Sequence, residues 1–252
     1  MDEQLILNSR NLNVFYQPII NTKTMELEAV EALIRLKGPH KRAITPQTYV
    51  TFAENNNLIE ILDSYVLTNV CKVISANQLE DSNIKFHINM SPIDCDNTNL
   101  ASKFSTIADR YHIPHNSLVL ELLETRDMTK DRYKCLNELK DHGFMIGLDD
   151  YGVGCSGLRR LLDFEFKFNC LKLDKSLVDD LAKGEKNKYI YRSIVKTMKD
   201  FGMCLIQEGV ETQEQFNFVK YIGVDMVQGY LISKAVPEDD YLKLIETRQL
   251  GA

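Results

Sequence analysis

The 252-residue chain has no tryptophan, and only 6 prolines and 12 glycines are spread along it. That scarcity excludes a collagen-like or Pro/Gly-rich disordered chain. With no Ser/Gly linker to divide it, the sequence reads as one folding unit over residues 1–252. Long hydrophobic runs are missing as well. No stretch nears the roughly 18 uninterrupted apolar residues of a membrane helix, and MDEQLILNSR carries no basic leader ahead of an apolar run. The expectation is a soluble, cytoplasmic protein that does not insert into a membrane. Positive charge is also short: 30 Lys+Arg against 36 Asp+Glu leave −6 at pH 7, which is not the footprint of a duplex nucleic-acid binder. None of the six cysteines forms a C-x-x-C pair, so a zinc ribbon or disulfide framework is not expected and the thiols read as reduced and mostly buried. The five histidines form no H-E-x-x-H spacing. Any metal site therefore has to be built mainly from carboxylates.

What the chain does have is 44% hydrophobic residues, enough for a sizeable core. Eight short apolar runs recur from end to end: VFYQPII, LEAVEALIRL, IKFHINM, SLVLELLE, FMIGLDD, NCLKLD, MCLIQEG and DMVQGYLI. Between most of them lie amphipathic stretches of helical length, among them TKDRYKCLNELKDHG, EKNKYIYRSIVKTMKDFG and TQEQFNFVKYIG, several ending on glycine. This alternation predicts a parallel sheet, and eight strands in about 250 residues fit a (β/α)8 barrel. An open doubly wound sheet is the other arrangement, but the first run leads into NTKTMELEA with no G-x-G-x-x-G. NTKTM is only a turn long, so the first two strands are expected to pair antiparallel and make the barrel irregular at its start.

In such barrels the C-terminal strand ends converge on one rim. Here those ends offer Gln17, Glu31, Asn89, Glu121, Asp149 with Asp150, Lys172 with Asp174, Glu208 and Gln228. Taken singly, a rim glutamate is equally well a solvated residue, an Asp-Asp-x-Gly run is also a turn, and a lysine among acids is also an interior ion pair. Taken together, so many carboxylates on one rim would repel strongly without cations, and hard oxygen ligands suit Mg²⁺, Mn²⁺ or Ca²⁺. His87, two residues before Asn89, is expected on the same barrel face as a core or rim histidine rather than a ligand.

These residues fall in ordered motifs: FYQPI; Glu31-Ala32-Leu33 in EALIRL; Asn89-x-Ser91; Glu121 to Glu124; Asp149-Asp150; LKLD around Lys172; E-G-V-E from Glu208; and Q-G-Y from Gln228. As a set they resemble the EAL-domain cyclic-di-GMP phosphodiesterases over nearly the whole chain. The resemblance implies a modified (β/α)8 barrel with an antiparallel first strand. It also implies two Mg²⁺ or Mn²⁺ ions, with Ca²⁺ inhibitory, that hydrolyse cyclic-di-GMP to linear pGpG. It assigns Glu31, Asn89, Glu121, Asp149 and Asp150 as metal ligands, with Asp174 and Glu208 helping to hold metals or their waters. Lys172 would orient the nucleophilic water, placing Glu31, Lys172 and Glu208 at the catalytic centre. Gln17, Leu33, Arg35, Glu211 and Gln228 would contact substrate, and Glu124 would anchor the loop after the paired acids. A homodimer is implied, with fused or partner signalling domains.

The sequence departs from the family pattern in that loop. Robustly active members read D-D-F-G-T-G-Y-S-S, whereas this chain reads Asp149-Asp150-Tyr151-Gly152-Val153-Gly154-Cys155-Ser156-Gly157. Val153 offers no hydroxyl for a bond to Glu124. Leu36 stands in place of a common Trp, and Ala235 in place of a common Pro. Two readings follow: a metal-dependent phosphodiesterase, and a non-catalytic receptor that binds the dinucleotide or a partner protein.

Overall fold

The computed structural model describes residue 3 and residues 8–37, 43–123, 128–153 and 166–247. All eight apolar runs form strands: β1 (Leu12–Asn21), β2 (Leu27–Lys37), β4 (Lys85–Asn89), β5 (Leu118–Leu123), β6 (Met145–Tyr151), β7 (Cys170–Leu173), β8 (Cys204–Gln207) and β9 (Met226–Val227). Two further strands, β3 (Ala43–Ile44) and β10 (Val236–Pro237), are only two residues long and lie against β2 and β1. From β2 through β9 each neighbouring barrel pair is parallel. β1 pairs antiparallel with both β2 and β9 and so closes the barrel.

The hairpin is as expected, and the turn at Thr22–Thr24 carries its reason. Asn21 Oδ1 accepts from the backbone N–H groups of Lys23 (2.7 Å) and Thr24 (3.1 Å), an Asx-type turn that reverses the chain within a few residues. One consequence is that β2 does not stop at Glu31. Its pairing with β1 continues to Leu36, opposite Leu12, so the hairpin rises past the barrel rim.

The helical stretches pack outside: α1 (Pro46–Asn55), α2 (Ile59–Ala76), α3 (Leu100–Arg110), α4 (Lys130–Asp141), α5 (Lys175–Asp179), α6 (Glu185–Asp200), α7 (Gln213–Ile222) and α8 (Glu238–Thr247). Helix α3 buries Leu100, Ala101, Phe104, Ser105 and Ala108, one face at helical spacing. Removing a side chain like Phe104 from water stabilises the fold by about 1.5–3 kcal/mol. Helix α7 starts at a capping box between Thr212 and Gln215 and stops at Gly223, whose φ of 91° ends the helix in a left-handed turn.

The main core lies between strands and helices and includes Phe86, Leu120, Ile146 and Leu171. A smaller cluster of Leu12, Leu36, Tyr49, Ala53, Ile59 and Leu62 glues the open end of the β1–β2 hairpin, opposite its turn, to α1 and α2. Leu36 is therefore a packing residue. The described cysteines are all free, four buried and Cys204 partly so. No helix among the described residues is long and apolar enough to cross a membrane.

Candidate functional site

Barrel closure turns one side chain inward from each of several strands, and at the rim these are nearly all polar. Lys172, fully buried on β7, sits at their centre. Its Nζ lies 2.6 Å from Glu208 Oε1, 3.1 Å from Glu31 Oε2, 3.1 Å from Glu121 Oε2 and 3.3 Å from Asp149 Oδ1. Burial alone would push the ammonium pKa down, but Asp149, Glu121, Glu208 and Glu31 outweigh it and hold Lys172 well above the ordinary lysine value. It is a donor, not a base.

One ammonium does not balance the acids around it. Burial raises Asp149 well above the carboxylate range, against the attraction of Lys172, and Glu121, Glu208 and Glu31 add repulsion. Burial likewise raises Asp150 and pushes Glu208 up to about 7. Glu121 goes the other way: burial would raise it, but Lys172 and His87 hold it below the usual range. Two carboxylate groups have oxygens within 4.8 Å of one another, Glu31 with Glu121 and Asp149, and Asp149 with Asp150 and Glu208. Asp149 is common to both. The donor set is all hard oxygen with an excess of negative charge, which fits divalent cations of the Mg²⁺ or Mn²⁺ type.

The paired acids reach the site by a backbone irregularity. Successive side chains on a regular strand face opposite ways, yet the β6–β7 register shifts between Leu148 and Tyr151 and Asp150 takes a left-handed φ of 56°. This bulge lets both carboxylates turn to the rim. The Asp150 N–H also donates to Asp149 Oδ1 at 2.9 Å.

Gln17 arrives by a different route from the one its strand suggested. β1 runs antiparallel, so its C-terminal end is at the other face of the barrel, and Gln17 lies mid-strand directly opposite Glu31. An amide chain then tightens the rim. Gln228 Nε2 donates to Glu31 Oε2 (2.7 Å) and Gln17 Oε1 (3.1 Å), and Asn89 Nδ2 donates to Glu31 Oε1 (2.9 Å). Buried Gln228 Oε1 has no protein partner. Gly229 permits this arrangement, because a Cβ there would fall on the backbone of Val210.

A cleft of about 700 Å³ opens over the cluster, walled by the C-terminal half of β2, α1 and α2; Leu33, Arg35, Glu54 and Asp63 line it beside the acids. Arg35, half-buried with its guanidinium carbon 5.7 Å from the Phe15 ring centroid, is the cation of that lining among the described residues. Asp174 and Glu211 belong to neither carboxylate group. β7 ends at Leu173, so Asp174 falls at the start of α5, where its Oδ1 accepts from Ser176 N at 2.9 Å. Glu211 is exposed and pairs with Lys175. Glu124 and the loop from Gly154 through Gly157 lie outside the described residues, and Val153 at the loop's start is exposed.

Three polar groups support the rim: His87, expected as a core or rim histidine, and Gln207 and Asp63, which the sequence did not single out. His87 Nδ1 lies 2.7 Å from Glu121 Oε1, with both residues buried. Gln207, also buried, donates to the carbonyls of Leu173 (3.0 Å), Asp174 (3.2 Å) and Glu208 (2.7 Å) and accepts from the Tyr191 hydroxyl (2.5 Å), tying the ends of β7 and β8. Asp63 Oδ2 accepts from Ser91 N at 2.8 Å and Glu54 Oε1 from Ser91 Oγ at 2.9 Å, fixing the exit of β4 beyond Asn89. Burial raises Asp63 well above the carboxylate range and takes Asp94 up to about 6. A polar residue next to a motif residue was the one local signal for the first two; Asp63, distant in sequence, had none.

Comparison with known proteins agrees with this geometry. The chain is 29% identical over 245 residues to the probable cyclic di-GMP phosphodiesterase PdeG of Escherichia coli strain K12, covering 95% of this chain and 47% of the relative. The chain spans less than half the length of curated relatives such as these, 47% of PdeG and 28% of the uncharacterized protein y4lL of Sinorhizobium fredii. Among solved structures, the EAL enzyme Bd1971 in its cAMP- and cyclic-di-GMP-bound form superposes with a TM-score of 0.87 at 25% identity, covering 95% of this chain and 66% of that one. The PaMucR phosphodiesterase in complex with c-di-GMP gives 0.85 at 26% identity, with coverage of 94% and 97%. A family model for the EAL domain matches residues 2–235, and the chain belongs to the EAL domain family.

Proposed function

We propose that this chain is a divalent-cation-dependent phosphodiesterase that opens cyclic-di-GMP to linear pGpG. The observation that carries the reading is the pair of carboxylate groups sharing Asp149 beneath an open cleft, within a family whose relatives include named cyclic di-GMP phosphodiesterases. Glu31, Glu121, Asp149, Asp150 and Glu208 would hold two Mg²⁺ or Mn²⁺ ions, with the Asn89 carbonyl as a neutral ligand. Bound there, such ions supply a lowered pKa for water and charge neutralisation on the phosphodiester.

The remaining roles belong to the chain itself. Lys172 Nζ, kept protonated by four carboxylates, donates toward the attacking oxygen and holds those carboxylates in register. Arg35 offers a fork of N–H donors to a non-bridging phosphate oxygen. Gln17, Gln228 and Leu33 orient the nucleotide at the hairpin side of the cleft, Gln228 with its free Oε1. Asp174 and Glu211 act from the α5 edge, Asp174 through its charge on Asp150.

The experiment is chromatographic product analysis with cyclic-di-GMP and Mg²⁺ or Mn²⁺, beside excess EDTA and Glu31→Ala. The expected result is pGpG only with metal and with Glu31 intact. Equal turnover in EDTA, or in Glu31→Ala, refutes the assignment. Tight binding of intact dinucleotide without product identifies a receptor instead.

A further inference from the structure

His87 is the inward-facing polar side chain one step below Asn89 on β4. Its backbone pairs with Glu31 on β2 and with Val119 on β5, two residues before Glu121, so it sits level with Glu31 and below Glu121. It belongs to neither of the two metal-capable groups among the described residues. Its bond is to one carboxylate alone, Nδ1 to Glu121 Oε1 at 2.7 Å, between residues 2% and 1% exposed.

Glu121 is consequently held at both oxygens. Oε1 faces His87, and Oε2 faces Lys172 at 3.1 Å. With the Lys172 ammonium against Oε2 and the imidazole against Oε1, Glu121 is placed to accept at both oxygens, which assigns the donor role to Nδ1–H of His87. The stem of Glu121 is fitted too. A Cβ on Gly147 would lie 3.4 Å from Glu121 Cγ and 2.9 Å from Cys170 Sγ, so the missing side chain leaves a slot that the glutamate passes through. With Oε1 turned to His87, Oε2 is the oxygen that faces Lys172 and, around it, Glu31 and Asp149. Groups that hydrogen-bond a metal ligand from behind fix its orientation and set metal affinity.

We propose that His87 is a positioning residue for the cation site: its Nδ1–H occupies Glu121 Oε1, commits Glu121 to binding through Oε2 alone, and thereby sets the affinity for divalent cation. The inference rests on the reading of the carboxylate cluster as a divalent-cation site. The residue touches neither cation nor substrate, so its removal weakens cation binding while leaving the chemistry at saturating cation intact.

The test compares wild type with His87→Phe, which keeps a flat ring without a donor, and His87→Asn, whose amide nitrogen lies near the place of Nδ1. Mn²⁺ dissociation constants are read from the electron paramagnetic resonance signal of free Mn²⁺, with circular dichroism to check folding. His87→Phe is expected to weaken Mn²⁺ binding roughly 10- to 100-fold, with kcat recovering at saturating Mn²⁺, and His87→Asn to restore most of the affinity. Wild-type affinity in His87→Phe overturns the proposal, as does an equal loss in both variants, which would assign the effect to packing. Should His87→Phe not fold, ¹⁵N NMR of metal-free wild type decides: a proton on Nδ1 supports the proposal and a proton on Nε2 alone overturns it. A wild type that takes up no Mn²⁺ overturns the cation-site reading and this inference together, whereas a His87 variant with unchanged affinity overturns only the latter.

Discussion

Lys172→Met removes the ammonium at the centre of the cluster while nearly keeping its volume. Four carboxylates lie within 3.3 Å of Nζ, and Lys172 itself is fully buried. Taking one partner out of a buried ion pair costs about 3–5 kcal/mol, because the charges left behind are uncompensated. The cost depends on pH. Asp149, Asp150 and Glu208 already have raised pKa values, and without the ammonium they rise further. A carboxyl whose folded pKa is raised contributes stability below its unfolded pKa and loses it as pH climbs through the folded value. Each extra proton held by the folded variant therefore returns about 1.4 kcal/mol per pH unit on acidification. One such proton between pH 8 and pH 6 recovers about 2.7 kcal/mol, so most of the deficit at pH 8 should vanish by pH 6. Millimolar Mn²⁺ at pH 8 should recover it by the same electrostatics. The assay is urea unfolding of both proteins in EDTA at pH 6 and pH 8, repeated with Mn²⁺. A deficit of equal size at the two pH values, or a variant more stable than wild type at pH 8, refutes the charge account of the cluster.

In wild type freed of metal, Glu208, raised by burial to about 7, contributes stability that is full below its unfolded pKa and is lost as pH rises through 7. Its Tm should fall between pH 5 and pH 8, and a flat profile counts against the assignment. Gly147→Ala would drive a Cβ to 2.9 Å from Cys170 Sγ and 3.4 Å from Glu121 Cγ. Chemical denaturation should show a loss of about 1–3 kcal/mol, with weaker Mn²⁺ binding because Glu121 is displaced. Gly229→Ala meets the Val210 backbone rather than a side chain that can swing away, so a loss of about 3 kcal/mol is expected; an unchanged Tm would show that the Gln228 turn yields without cost.

The sequence by itself determined the eight strands and their wrapping helices, because apolar period and turn residues are local properties that survive without tertiary context. It also determined the antiparallel start, since the turn before Leu27 leaves no room for a crossover. The ordered motifs named most of the residues that the barrel gathers, including Glu31, Asn89, Glu121, Asp149, Lys172, Glu208 and Gln228. What only the tertiary structure decided are the distances and directions that barrel closure sets. The bulge at Asp150 turns two neighbouring acids to one rim, against the alternation of a regular strand. Gln17 meets Glu31 through cross-strand register and not through a strand end, while Asp174 spends its carboxylate on a helix N-terminus because β7 stops one residue short. Lys172 becomes the hub, and His87 finds Glu121, because strands β4, β5 and β7 lie side by side or across the barrel from one another. Local patterning sets which face a side chain shares with its sequence neighbours, but the partner it meets across the barrel is fixed only when β9 closes against β1.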